Sequence, residues 1–196
     1  MNLLTVTNLS AGYAGKQVIK DISFFVAPKT IVGILGANGC GKTTLIKAIA
    51  NLLPHTGSCQ LDDTYLENAS PRQLALLCGY IPQKSGISID LTLLDVVLMG
   101  FNPKLSLLQS PTEQMKKEAF DALCSVGLGS RKDDNFQQLS EGQKQLCLLA
   151  RTFVLKRRLL LLDEPAAGMN NSESEDLLNF IRTLKDKGYT VLLIEH

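Results

Sequence analysis

The sequence predicts an α/β fold with a mostly parallel sheet, and three observations predict it. Residues 159–162 are four consecutive leucines and 191–194 read Val-Leu-Leu-Ile. Continuous apolar runs of this length suit strands buried on both faces, as in parallel sheets covered by helices. Segments with helical spacing lie between and before these runs, so the chain ends in a β-α-β order. A glycine-rich turn at 36–44 joins a short β-branched run to a helix.

Taken in order, residues 3–9 partly alternate and read as a strand, 12–16 as a turn, and 18–27 as a second strand closed by Pro28. The N-terminal part is therefore β-rich. Residues 30–35 read as a strand buried on both faces, and 41–53 as a helix stopped by Pro54. Ser70 before Pro71 places a cap and then proline at the first helical position. Residues 85–145 form a helical block. In it Ser110 and Glu113 make a capping box opening a helix to about Val126. Ser140 and Gln143 make another, opening a helix to about Leu155. The 158–162 strand follows, then a helix capped from Ser172 and ending at Gly188, then a final strand at 190–195. Neither an internal repeat nor a low-complexity tract is present.

One domain is expected from 196 residues, large enough to fold without a disulfide or metal staple. Lys and Arg number 20 against 19 Asp and Glu, so net charge gives no reason to bind nucleic acid. Five cysteines without a C-x-x-C pair read as reduced thiols of a cytosolic protein. Cys40 lies in the glycine-rich turn, where solvent is expected; the other four lie in apolar or turn contexts. No apolar run approaches the 18 or so residues that span a membrane, and the N-terminus has no signal-peptide pattern.

Gly36-Ala37-Asn38-Gly39-Cys40-Gly41-Lys42-Thr43-Thr44 fits G-x-x-x-x-G-K-[ST], a phosphate loop. Small residues let successive backbone N–H groups turn inward around an anion. Lys42 adds a cation for the β/γ-phosphates, and Thr43 a hydroxyl for Mg2+. The leucine strand ends in Asp163 and Glu164, which places carboxylates at the edge of the sheet where ligands bind. Asp163 is expected beside the Mg2+, and Glu164 to orient and deprotonate water attacking the γ-phosphate.

With Leu139-Ser140-Glu141-Gly142-Gln143, these motifs resemble the nucleotide-binding subunits of ABC transporters, whose signature is LSxGQ. The resemblance covers the whole chain. It implies a P-loop NTPase (RecA-like) core at about 1–84 and 146–196, carrying an N-terminal antiparallel β subdomain. The helical subdomain at about 85–145 is inserted. It implies that Tyr13 stacks on adenine, that Gln83 contacts Mg2+ and water, and that His196 meets the γ-phosphate. Ser140, Gly142 and Gln143 would face the γ-phosphate of ATP held by a second subunit. ATP and Mg2+ are the implied cofactors. A paired ATPase subunit, a membrane permease and a substrate-binding protein at one remove are the implied partners, at the cytoplasmic face of a prokaryotic membrane.

Residues 94–100, Leu-Asp-Val-Val-Leu-Met-Gly, are similar to importers of iron chelates, cobalamin or metal ions. Residues 166–170 favour a branched-chain amino-acid-type importer instead, and a soluble ATPase of iron–sulfur assembly is a further alternative. The chain departs from the family pattern in having Asn170 where Asp usually stands. Family members also run on for several tens of residues past the histidine, so the C-terminus is expected to be truncated.

Overall fold

The computed structural model describes residues 2–106 and 108–195. β1 (Leu4–Tyr13) and β2 (Lys16–Val26) form an antiparallel hairpin. Its two turn residues, Ala14 and Gly15, both have positive φ, as a type I′ turn requires. β4 (His55–Leu61) pairs with the other side of β1, and the short β5 (Thr64–Tyr65) completes a sheet in the order β2-β1-β4-β5. The strand β4, His-Thr-Gly-Ser-Cys-Gln-Leu, carries too few apolar residues to stand out in the sequence.

The second sheet has the order β3-β8-β7-β6 and is parallel throughout. β7 (Leu159–Asp163) and β8 (Thr190–Ile194) are buried at every position. β6 (Cys78–Ile81) is one edge, covered by α2 (Pro71–Leu77). β3 (Ile31–Ile34) is the other edge. It is half-buried or exposed rather than covered on both faces, because only β8 flanks it among the described residues.

Strand alternation divides the core between the two faces. Leu159, Leu161, Leu192 and Ile194 pack with Leu45, Ile46 and Ile49 of α1 (Lys42–Ile49) and with the N-terminal sheet. Leu160, Leu162, Val191 and Leu193 pack with Leu148 and Leu149 of α5 (Glu141–Phe153) and with Leu177, Ile181 and Leu184 of α6 (Asn171–Asp186). The same cluster runs on through Val97 of α3 (Leu93–Leu98) and Leu123 of α4 (Glu113–Ser125) to Phe101 and Phe136. Arg157 ties this side together, donating to the carbonyls of Ala75, Thr152 and Gly100 at 2.6, 2.9 and 3.4 Å.

Three helix ends differ from the sequence expectation, each through a local cap. α1 stops at Ile49, well before Pro54. Asn51 adopts φ 53°, and the N–H groups of Leu52 and Asn51 bond back to Lys47 and Ala48, a Schellman closure. α4 is capped by Thr112, whose hydroxyl accepts from the Met115 N–H, rather than from Ser110. α6 is capped two residues early, by a reciprocal box between Asn170 and Glu173. The cap at Ser70, which the structure completes as a box with Gln73, and the box at Ser140 stand where the sequence puts them.

Candidate nucleotide site

Parallel register gathers the site. Ile34 pairs with Ile194, Ile194 with Asp163, and Leu162 with Ile81. The loops that follow β3, β6 and β7 therefore leave the sheet at one C-terminal edge, where open α/β sheets take their ligands.

The loop after β3 is exposed from Gly36 to Cys40 and turns into α1 at Gly41. Gly41 has φ 102°, and a Cβ there would lie 2.7 Å from Ile19 Cγ2, so only glycine fits. The Cys40 N–H bonds to the Ala37 carbonyl at 3.3 Å, closing the turn. Lys42 is 6% exposed, and its ammonium donates to the carbonyls of Gly36 and Ala37 at 2.7 and 3.2 Å. The cation is thus held within the loop by the loop's own backbone. Thr44 is buried, and Asn38 and Gly39 face solvent.

Asp163, 2% exposed, is fixed through both oxygens. Thr43 Oγ1 donates to Oδ1 at 2.8 Å, and the Tyr80 hydroxyl donates to Oδ2 at 3.3 Å. Burial, and then the negative charge of Asp163, push the Tyr80 phenol above its ordinary value, so it stays an O–H donor. Glu164 follows with φ 49°, a left-handed conformation uncommon for a residue with a side chain. Gln83 Nε2 donates to Glu164 Oε2 at 2.7 Å. The Gln83 carbonyl in turn accepts from Gln145 Nε2 of α5 at 3.3 Å.

The sequence-predicted residues thus fall into groups. Residues 36–44, Gln83, Asp163 and Glu164 meet at one edge. Tyr13 lies at the tip of the β1–β2 hairpin, 46% exposed. Ser140, Gly142 and Gln143 form the first turn of α5. Ser140 Oγ accepts from the Gln143 N–H at 3.3 Å, and Gln143 Oε1 accepts from the Ser140 N–H at 3.2 Å. Among the described residues no hydrogen bond joins that turn to the phosphate loop. Gly142 packs against α6, where an added Cβ would lie 3.1 to 3.3 Å from the Glu173 side chain. His196 lies outside the described residues.

Two residues of this network were missed in the sequence: Tyr80 and Gln145. Gln145 carried a signal. It lies three residues after Gly142 and four before Leu149, on the buried side of α5, where an apolar residue is the rule. Tyr80 carried a weaker one, a hydroxyl within a short, largely buried strand.

The sequence profile of the ABC transporter family matches residues 19–167. The chain belongs to the ABC transporter family. It is 34% identical over 191 residues to the manganese transport system ATP-binding protein MntB of Bacillus subtilis (strain 168), across 96% of this chain and 75% of that protein. It is 35% identical over 203 residues to the hemin import ATP-binding protein HmuV of Bordetella parapertussis, across 98% and 76%. Among solved structures, a nucleotide-free ATP-binding cassette from an ABC transporter superposes with a TM-score of 0.90 at 28% identity, covering all of this chain and 82% of that one. Members of the family bind ATP and hydrolyse it to power transport, and this ABC-type subunit is an ATP hydrolase. Among the described residues, no helix is long and apolar enough to cross a membrane.

Proposed function

We propose that this ABC subunit binds Mg-ATP in the 36–44 loop and uses its hydrolysis to drive import of a metal ion, a hemin or an iron chelate through a separate permease. The observation that carries the proposal is the convergence of Lys42, Thr43, Gln83, Asp163 and Glu164 at one sheet edge, with Gln83 bonded to Glu164 at 2.7 Å. The substrate class is supported by the relatives, which serve manganese and hemin systems.

The donor set fits Mg2+. Thr43 and Asp163 offer a hydroxyl and a carboxylate oxygen 2.8 Å apart, both hard oxygen donors. In this reading they hold the cation, with Gln83 as a further oxygen donor. The cation supplies charge neutralisation on the β- and γ-phosphates. Lys42 binds those phosphates once its ammonium leaves the Gly36 and Ala37 carbonyls. The N–H groups of 37–44 surround the anion, and Tyr13 stacks on the adenine. Glu164 accepts the proton of the attacking water, and Gln83 fixes the carboxylate that receives it. His196 completes the contacts to the γ-phosphate.

A head-to-tail pair of ATPase subunits follows from the split of the predicted residues. Ser140 and Gln143 close their own cap at the positive end of α5 with Gly142 between them, and in this reading the turn faces the γ-phosphate of ATP held by another chain. We divide the domain into a core of about 1–84 and 146–196 with its antiparallel β subdomain, and a helical signature segment of about 85–145. A groove of about 470 Å3 between these parts, lined by Leu74, Tyr80, Met99, Pro103 and Arg151 among others, suits a permease helix at the cytoplasmic face of the membrane. A substrate-binding protein would then act at one remove, across the membrane.

The test is direct. The purified chain should hydrolyse ATP only with Mg2+. Deleting its gene should lower cellular uptake of manganese, zinc, iron or heme-derived iron, measured by isotope accumulation. Unchanged uptake of all four counts against the substrate class; no hydrolysis with or without the permease overturns the site.

A further inference from the structure

Gln145 is buried in the middle of α5, 4% exposed, and belongs to neither the phosphate loop nor the signature turn. Its Nε2 donates to the Gln83 carbonyl at 3.3 Å, while its Oε1 is buried without a hydrogen-bond partner among the described residues. The orientation is settled by chemistry, since the Gln83 carbonyl can only accept. A buried amide with one orphaned oxygen is an expensive way to fill a helix face. Methionine or leucine would fill the same volume without stranding a polar atom. The residue therefore weakens the fold where it stands, a pattern expected of positions kept for function.

The bond it makes joins two halves of one mechanism. The first turn of α5 carries Ser140 and Gly142. Five residues after Ser140, on the same rigid helix, Gln145 grips the main chain of Gln83. The Gln83 side chain in turn holds Glu164 at 2.7 Å. We propose that Gln145 is a positioning residue: it fixes the Gln83 main chain to α5, so that the place of the signature helix sets the aim of the Glu164 carboxylate. The inference rests on the reading of Glu164 and Gln83 given above and extends it to how the site is switched. An anion drawn to the Ser140 turn moves α5 as a body, and this bond carries the displacement to the hydrolytic edge of the same chain. Each ATP site would then sense, through a single amide, whether the opposite site is filled.

The test compares Gln145→Met with Gln83→Ala and the double variant in the full chain, with Gln145→Leu as a second apolar replacement. Removing the grip should lower kcat about tenfold with KM for ATP changed by less than about twofold, since positioning and not binding is lost. Tm should stay level or rise, because the stranded oxygen is gone. Amide exchange measured by mass spectrometry should quicken over 82–86 and nowhere else in the sheet. The double variant should be no slower than Gln83→Ala alone, the non-additivity of residues acting in series. Wild-type kcat in both apolar variants beside a slow Gln83→Ala overturns this proposal alone. So does a loss of kcat that merely tracks a lowered Tm, or additive losses in the double variant. Wild-type kcat in Gln83→Ala overturns the reading of Gln83 itself, and this proposal with it.

Discussion

Gln83, on the loop after β6, donates a 2.7 Å hydrogen bond to the carboxylate of Glu164, on the loop after β7. The two residues are 81 apart in sequence and meet because β6 and β7 are parallel neighbours with Ile81 opposite Leu162. If Glu164 takes the proton of the attacking water, Glu164→Gln should lose about 10²–10⁴-fold in kcat while ATP binding persists. Gel filtration with ATP should then show a trapped dimer. Turnover near wild type in this variant rules the role out.

Asp163 is gripped from both sides, by Thr43 at 2.8 Å and by Tyr80 at 3.3 Å. Tyr80→Phe keeps the ring and removes the second grip. The apparent Mg2+ affinity, read by titrating the cation at fixed ATP, should weaken several-fold. Stability should fall by about 1 kcal/mol, the usual worth of one such bond. ATP binding without metal should not change. An unaltered Mg2+ titration would falsify this function of the phenol.

The five thiols divide sharply. Cys59, Cys78 and Cys147 are buried, and burial pushes them up to about 12, 11 and 12. Below those values the neutral thiol dominates, so near pH 7.5 each holds under about one part in a thousand of the reactive thiolate. Cys40 is exposed, with its sulfur lying across the loop toward Gly36. Cys124 is exposed too, contrary to its apolar sequence context, because it falls on the outer side of α4. Brief maleimide treatment should label Cys40 and Cys124 alone. Mg-ATP should shield only Cys40, and the Cys40 adduct should abolish hydrolysis. Cys40→Ala should retain activity, since this loop offers its backbone to the phosphates. Peptide mapping that finds Cys40 labelled equally fast with ATP present contradicts the placement of nucleotide in the loop.

Ser140 and Lys42 should serve the same ATP from different chains. Ser140→Arg and Lys42→Ala are each expected to be inactive. Mixed, they form heterodimers with one intact site, so hydrolysis should return at a fraction of the wild-type rate. A mixture that stays inactive while both variants still dimerise counts against the shared site.

Much of the edge that gathers these residues was legible because its chemistry is local in sequence. The phosphate loop needs its glycines, lysine and hydroxyl within nine consecutive residues. The 159–162 strand announces itself by four leucines and ends in the two acids that matter. What stayed hidden depends on register. Tyr80 reaches Asp163 only because two short strands align, and Gln145 reaches Gln83 across 62 residues of chain. Capping was half legible. Asn170 and Thr112 outcompeted Ser172 and Ser110 because a cap is chosen by where the preceding loop delivers the chain, which composition does not encode.

β3 leads straight into the phosphate loop and is held in the sheet by β8, with Ile31 to Ile34 lying opposite Val191 to Ile194. Fraying of β8 would therefore slacken the root of the 36–44 turn, so nucleotide affinity should report on the integrity of a strand that touches no phosphate.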